Sequence, residues 1–310
     1  MSLELRVTSW RQLSVEHRAK GMESKLKISL VTACKDSAAV IADNLESVSC
    51  QGGNFDLEHL IQDGGSVDGT LARLEDYRQS VSYDVSIISA QDRGFYDAIN
   101  KALSRATGDV VGLLNADDFL ADESVLNKVA QTFAETPELE VLFGDLDFIR
   151  PKHGALQRCS GSATKGEEQG GHSNNSFEIT RRWRAGQFSP EKFRRGWVPP
   201  HPTIYVRRRV LEKVGDYRLD MGSAADYEWM LRIFLDPKNN LAESPGHRAK
   251  RIKYLPKVMV NMRVGGQSTE SLKNRLLANK MDRRAWELNG LKPAFGFRLL
   301  KPLRKILQWF

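Results

Sequence analysis

"GDVVGLLNADDFLAD", Gly108 to Asp122, is the stretch that decides how this chain folds. Its apolar run, Val110 to Leu114, reads as a short strand buried on both faces. The run ends abruptly in Asn115-Ala116-Asp117-Asp118. Adjacent carboxylates repel each other, so a buried strand that runs into them carries a cost unless a cation sits there. In open parallel sheets, ligands bind beyond the carboxyl ends of the strands, which is where such a pair would lie.

Upstream, "KISLVTA" (Lys27–Ala33), "LEHLIQD" (Leu57–Asp63) and "DVSIISA" (Asp84–Ala90) read as three further strands. Helical patterns separate them. "DSAAVIADNLESVSCQ" begins at Asp36, "GGSVDGTLARLEDY" takes Asp68 as its N-cap, and "GFYDAINKALSRATG" closes on Gly108 at a C-cap position. Downstream come a helix in "ESVLNKVAQTFAET" and a fifth strand in "LEVLFGD". This alternation predicts an α/β fold: a mostly parallel central sheet with helices on both faces, plus a C-terminal helical segment. Asp63, Gln91-Asp92 and Asn115 to Asp118 stop three of the strands and should collect along one edge.

Beyond about residue 150 the pattern loosens. "HGALQRCSGSATKGEEQGGHSNNS" reads as a long loop or hairpin. "RRWRAGQFSPEKFRRGWVPPHP" is basic with interleaved aromatics. A strand in "TIYVRR", a helix in "RRVLEKVG" closed by Gly215, a helix in "SAADYEWMLRIFL", a strand in "LPKVMVNMRV" and a helix in residues 268–290 follow. Four parts are expected: an extension over 1–24, one half of the domain over 25–150, a second half over 151–270, and C-terminal helices over 271–310.

The 310 residues are 41% hydrophobic and 27% charged with a net charge of +7, which fits a globular protein with anionic partners. Three widely spaced cysteines, Cys34, Cys50 and Cys159, read as reduced thiols rather than a disulfide or zinc framework. No run is apolar enough to span a bilayer and no secretory h-region opens the chain, so a cytoplasmic location is expected. The tail "FGFRLLKPLRKILQWF", 295–310, places Leu299, Leu300, Leu303, Ile306, Leu307 and Phe310 on one helical face with basic residues elsewhere. That pattern suits peripheral contact with the inner face of the cell membrane.

Four pieces stand in one order: "VTACKD", "QDGGSVDGT", "DRGFYDAINKALSRATGD" and "LLNADD". The ordered set resembles the family 2 glycosyltransferases of GT-A fold, with "SAADYEWMLR" matching the later element that carries the base. The resemblance covers Lys25 to about Ser268, and the wording is similar to bacterial enzymes of polysaccharide and glycolipid biosynthesis. It implies an inverting transfer from a nucleotide sugar, most simply a UDP-sugar, to a hydroxyl of a saccharide or lipid-linked acceptor, with Mg2+ or Mn2+ as cofactor. It implies a role for each matched residue. Thr32 and Ala33 lie beneath the nucleotide, and Asp63 contacts its base. Asp92 and Asn100 shape the nucleotide and sugar pocket. Asp118 ligates the metal, with Asp117 and Asn115 on the ribose and sugar side, and Asp226 is the general base. Asn115 departs from the family's acid at that position, which removes one charge.

The chemistry agrees with this on its own terms. A leaving diphosphate needs its growing charge stabilised, and a divalent cation on one or two carboxylates does that. A positioned carboxylate can take the proton of the attacking hydroxyl. Glu228 competes with Asp226 for that part. His201, held in "PPHPT", is a candidate for a phosphate or metal contact. The plainer readings are caps and turn residues for Asp63, Asp68, Asp117, Asp118 and Asp226, a turn at Gly265-Gly266, and a solvated face for the basic segment. Arg181, Arg182, Arg184, Lys192, Arg194 and Arg195 otherwise suggest an acceptor-side surface for an anionic headgroup. Two other classes stay open: a metal-dependent nucleotidyltransferase, against which "VTACKDSAAV" lacks the needed glycines, and a nucleic-acid binder resting on the basic-aromatic segment alone. No GxGxxG follows a strand, which disfavours a dinucleotide enzyme, and no nucleic-acid partner is expected.

Overall fold

A computed structural model describes residues 25–152, 176–235, 251–265, 272–294 and 297. Four strands, β1 (Leu26–Cys34), β2 (Phe55–Asp63), β3 (Asp84–Ser89) and β4 (Val110–Leu113), form a parallel block in the order β3-β2-β1-β4. Helices α1 (Ile41–Ser49), α2 (Thr70–Ser80) and α3 (Phe95–Leu103) make the crossovers. β1 is buried from Ile28 to Cys34 and β2 from Leu57 to Asp63, as expected of strands covered on both faces. The polar residues inside them are paired. Ser29 donates to Glu58 at 2.5 Å, and Glu58 also takes Lys27 and the Thr107 hydroxyl. Burial alone would raise the Glu58 pKa, but these donors hold it at about 2.

The remaining elements are β5 (Phe119–Leu120), α4 (Val125–Glu135), β6 (Val141–Pro151), β7 (Phe177–Trp183), α5 (Pro190–Arg194), β8 (Tyr205–Arg207), α6 (Arg208–Val214), α7 (Ala225–Leu235), β9 (Ile252–Arg263) and α8 (Leu272–Leu288). Short 3-10 turns occupy His201–Thr203 and Leu219–Ala224. The sheet continues β4-β8-β6-β9-β5, with β7 on β6. β8 is antiparallel to both neighbours, so β6 runs in the direction of β4, and β9 is parallel to β6. The sheet is thus wholly parallel on one side and mixed on the other.

Several local expectations move. The helix expected from Asp36 begins at Ile41. α3 ends at Leu103, so Gly108 is not its C-cap. A Cβ at Gly108 would lie 2.7 Å from the Ser29 amide nitrogen, and that close approach is why a glycine stands there. Gly69, in a left-handed conformation, caps α2, while Asp68 beside it accepts from the Thr70 amide at 3.1 Å. Gly215 does close α6, with a φ of 76°. The basic-aromatic segment contributes the end of β7 and packs its aromatics against the core, while Arg182, Arg184, Lys192 and Arg195 are exposed. Phe193 is fully buried against Phe234, ring centroids 5.5 Å apart, and Trp197 packs on Phe143 at 5.7 Å. Arg184 is paired to Asp147, and Arg181 lies over the Phe148 ring. The 1–24 extension, most of the 153–176 loop, and the tail apart from Phe297 lie outside the described residues. Phe297 is buried against Trp286, ring centroids 5.8 Å apart. No described helix is long and apolar enough to cross a membrane.

Candidate active site

The strand of the opening motif ends in a tight turn. Asp118 N–H closes it onto the Asn115 carbonyl at 3.0 Å. The Asn44 side-chain amide, from α1, donates to the Asn115 carbonyl at 2.8 Å and to the Asp118 carbonyl at 3.0 Å. Arg263, the last residue of β9, donates to the Asp117 carbonyl at 2.7 Å. The two carboxylates then differ sharply. Asp118 has no exposed surface; its Oδ2 accepts from Asn115 Nδ2 at 2.9 Å, while its Oδ1 is buried without a partner. Burial first, and then the Asp117 charge, push its pKa well above the carboxylate range, against weaker opposition from Asn115 and Arg263. Asp117 and Asn115 are half-buried. Asp117 is therefore the more exposed of the two acids, and Asp118 lies behind it with one oxygen unpartnered.

The second cluster lies on α7. Asp226 heads that helix, and its Oδ1 accepts from the Tyr227 amide at 2.7 Å. Its Oδ2 lies 3.4 Å from His201 Nδ1, with 23% and 29% of the two side chains exposed. The 3-10 turn that carries His201 is fixed to β6 through Thr203, whose hydroxyl donates to the Gly144 carbonyl at 3.1 Å. Burial pushes the His201 pKa down, against the pull of Asp226, so the neutral imidazole is favoured. Tyr96 and Tyr217, stacked with ring centroids 5.4 Å apart, stand beside the carboxylate. Asp226 adds to burial in raising the pKa of both phenols.

Known proteins share this arrangement of sequence. The model of the family described as Glycosyl transferase family 2 matches residues 29–213, more than half of the chain. The chain is a family 2 glycosyltransferase. An uncharacterized glycosyltransferase of Mycobacterium tuberculosis is 26% identical over 69% of this chain and 71% of its own. A PGL/p-HBAD biosynthesis glycosyltransferase of Mycobacterium bovis is 27% identical over 67% and 70%. Among solved structures, Staphylococcus aureus TarS in complex with UDP-GlcNAc aligns with a TM-score of 0.54 at 20% identity, over 92% of this chain and 78% of that one. The Pyrobaculum calidifontis mannosyltransferase PcManGT, in complex with GDP-Man and Mn2+, aligns with a TM-score of 0.51 at 13% identity, over 98% and 88%. These structures share the fold.

Within this glycosyltransferase, other residues matched by resemblance take structural posts. Asp63 is fully buried, and its oxygens accept from the Gly65 and Ser66 amides at 3.0 and 2.9 Å, the Ser89 hydroxyl at 2.6 Å and the Ser66 hydroxyl. Those donors outweigh burial and hold its pKa low. A carboxylate so occupied shapes the turn after β2. Thr32 is also fully buried, bridging the Leu114 carbonyl at 2.8 Å and His59 Nε2 at 2.9 Å, so it lies under the edge without facing it. His59 continues to Tyr77 at 2.8 Å and is pushed down to about 3 by burial. Ala33 is 6% exposed. Asn100 staples α3 to Tyr217, giving and receiving one bond with its backbone, both at 2.9 Å. Its amide is spent on the scaffold that stands Tyr217 near Asp226. Asp92 is half-buried at the mouth of the β2 turn; a Cβ on Gly64 would lie 2.7 Å from its Oδ2.

Glu228 fails as a base. It is 1% exposed and held by Arg232 at 2.8 Å, which itself binds the carbonyls of Val214, Gly215 and Asp216. Asn44 and Arg263 bind the acid turn and Tyr96 lies near Asp226, and none of the three stands out in the sequence. Asn44 sits within an ordinary helical pattern and Arg263 at the end of an ordinary strand. Tyr96 lies in a quoted motif, and nothing in its spacing ties it to residue 226.

Among the described residues no group of three or more His, Cys, Asp or Glu side chains is gathered to hold a metal ion. The turn nonetheless fits a hard divalent cation by its chemistry. It offers carboxylate oxygens only, one of them a buried acceptor lacking any partner, and such cations bind one or two carboxylates with phosphate oxygens completing the shell.

Proposed function

We propose that this glycosyltransferase moves a sugar, with inversion, from a UDP-sugar to a hydroxyl of a saccharide or lipid-linked acceptor in bacterial polysaccharide or glycolipid synthesis. The observation that carries the reading is the juxtaposition of Asp226 with His201 on a scaffold whose parallel strands end in the Asn115–Asp118 turn. Support for the pathway comes from the mycobacterial relative named for PGL/p-HBAD biosynthesis and from the Myxococcus xanthus O-antigen biosynthesis protein RfbC. RfbC is 30% identical over 66% of this chain, which spans 14% of that protein.

In this reading Asp226 is the general base. Its carboxylate is partly open and takes the proton from the acceptor hydroxyl as that oxygen attacks the anomeric carbon from the face opposite the diphosphate. A single displacement needs one base and no nucleophile from the protein. His201, neutral, lies against Oδ2 and the Tyr227 amide holds Oδ1, so the two fix the plane of the carboxylate, whose partly exposed edge meets the acceptor hydroxyl. Tyr96 and Tyr217 keep that side dry, which strengthens the carboxylate as an acceptor. Asp117, with Asp118 behind it, would hold Mg2+ or Mn2+, and Asn115 offers an amide to a ribose hydroxyl. The cation would supply charge stabilisation to the departing diphosphate. Asp92 borders the donor pocket beside Gly64.

The test is single-turnover transfer and donor binding with Asp226→Asn. Loss of a general base lowers the transfer rate about 10²- to 10⁴-fold, while binding of UDP with Mn2+ stays at the wild-type level. A variant that transfers at the wild-type rate would remove Asp226 from the chemistry. Comparison of UDP with GDP in the same binding assay decides the base.

A further inference from the structure

We infer that Arg263 and Asn44 are positioning residues for the acid turn, a strap that holds Asp117, with Asp118 behind it, in place for the donor. The inference rests on the reading of Asn115–Asp118 as the cation and diphosphate site. Its own basis is the hydrogen bonding of the turn. Three of the four carbonyls in Asn115-Ala116-Asp117-Asp118 are taken by side chains from distant segments: Asn44 on residues 115 and 118, Arg263 on residue 117. Ordinary turns of this length close on themselves, and here one internal bond, from the Asp118 amide to the Asn115 carbonyl, is supplemented by these outside donors. A carbonyl held inward cannot face a diphosphate and repel it. Pinning the carbonyls of residues 115, 117 and 118 also limits the directions their side chains can take.

Neither donor is placed casually. Asn44 has no exposed surface, and its Oδ1 is left without a partner, so the residue is kept for what its amide nitrogen does. Arg263 has 15% of its side chain exposed; it is ion-paired with Asp43 of α1 and lies 5.4 Å from the Phe119 ring centroid. Its guanidinium therefore joins three elements: β9, which belongs to the mixed half of the sheet, α1, and the turn after β4. Arginine suits this position because its planar fork can serve a carbonyl and a carboxylate together, whereas lysine presents a single compact charge.

The experiment uses the full chain and reads the Mn2+ concentration that gives half-maximal stabilisation by whichever of UDP and GDP binds the wild type. Urea unfolding of each variant runs in parallel. Arg263→Ala and Asn44→Ala are expected to raise that Mn2+ concentration about tenfold or more, the usual range for residues that orient metal ligands. Arg263→Lys should recover part of the loss, and the acceptor KM should stay near the wild-type value in all three. If Arg263→Ala does not fold, Arg263→Lys and Asn44→Ala carry the test. Folded variants that bind Mn2+ and nucleotide as the wild type does overturn the inference. Asp117→Asn separates the two levels. If it abolishes metal-dependent binding and the strap variants do not, the strap is wrong and the site reading stands; if it too binds normally, the site reading itself falls.

Discussion

Asp63 and Asp118 are both aspartates at the carboxyl end of the parallel block, and both are fully buried. Their surroundings differ. The turn after β2 aims three donors at Asp63, and the Ser89 hydroxyl of β3 and the Cys34 thiol of β1 add two more, while the turn after β4 gives Asp118 one side-chain donor and leaves an oxygen bare. Their pKa values accordingly move in opposite directions. Burial does not mark a functional acid. A mismatch between buried charge and local donors does, because the missing partner has to come from outside the chain.

The comparison breaks first at Asp117. Asp117→Asn should weaken metal-dependent nucleotide binding about 100-fold or more, with little change in the metal-free unfolding midpoint; equilibrium dialysis with Mn2+ and UDP checks both the site and its separation from stability. Next, Asp63→Ala should cost about 3 kcal/mol in urea unfolding, since it strands the Gly65, Ser66 and Ser89 donors inside the protein. A cost near zero would mean that the β2 turn does not depend on the acid.

The pH dependence sharpens the contrast. The folded pKa of Asp63 is depressed, so its contribution is present above the unfolded value near 3.9 and is lost as pH falls through the folded value. Asp118 is raised, so the folded state holds its proton more tightly than the unfolded one. Its effect is destabilisation that grows as pH rises from about 4 toward the raised value. In the absence of metal, Asp118→Asn should therefore gain about 1 kcal/mol at neutral pH and flatten that slope. An unchanged slope would show Asp118 already satisfied. The smallest effect belongs to Asn115→Asp. Restoring the family's acid should tighten Mn2+ binding a few-fold and lower metal-free stability by about 1 kcal/mol through like-charge repulsion. A tighter site with no loss of stability would mean that the turn has room for a third charge.

The parallel block was readable because its strands are continuous apolar runs ended by polar residues and joined by periodic helices. The mixed half was less so. β8 is three residues long, β7 lies in a stretch whose charges suggested a surface, and β6 pairs with β9 across more than a hundred residues. Short strands have no measurable period, and long-range pairing leaves no local trace. The candidate site shows the same divide. Asp117 and Asp226 stood out by composition and motif order. That Asp63, Thr32 and Asn100 are consumed by the scaffold depends on which donors come near them, and only the folded chain determines that. His201 drew attention through its prolines, but its neighbour Asp226 is 25 positions away and could not be inferred from spacing.

Arg232 offers a different kind of lesson. By gripping Glu228 at one turn of α7 and the three carbonyls at the end of α6, it ties the helix that carries Asp226 to the loop behind it. Chimeras between relatives that leave that piece whole would keep the register of Asp226 against His201. A crossover drawn between Val214 and Arg232 would divide it. For anyone recombining these enzymes, the helix and its loop form the indivisible cassette.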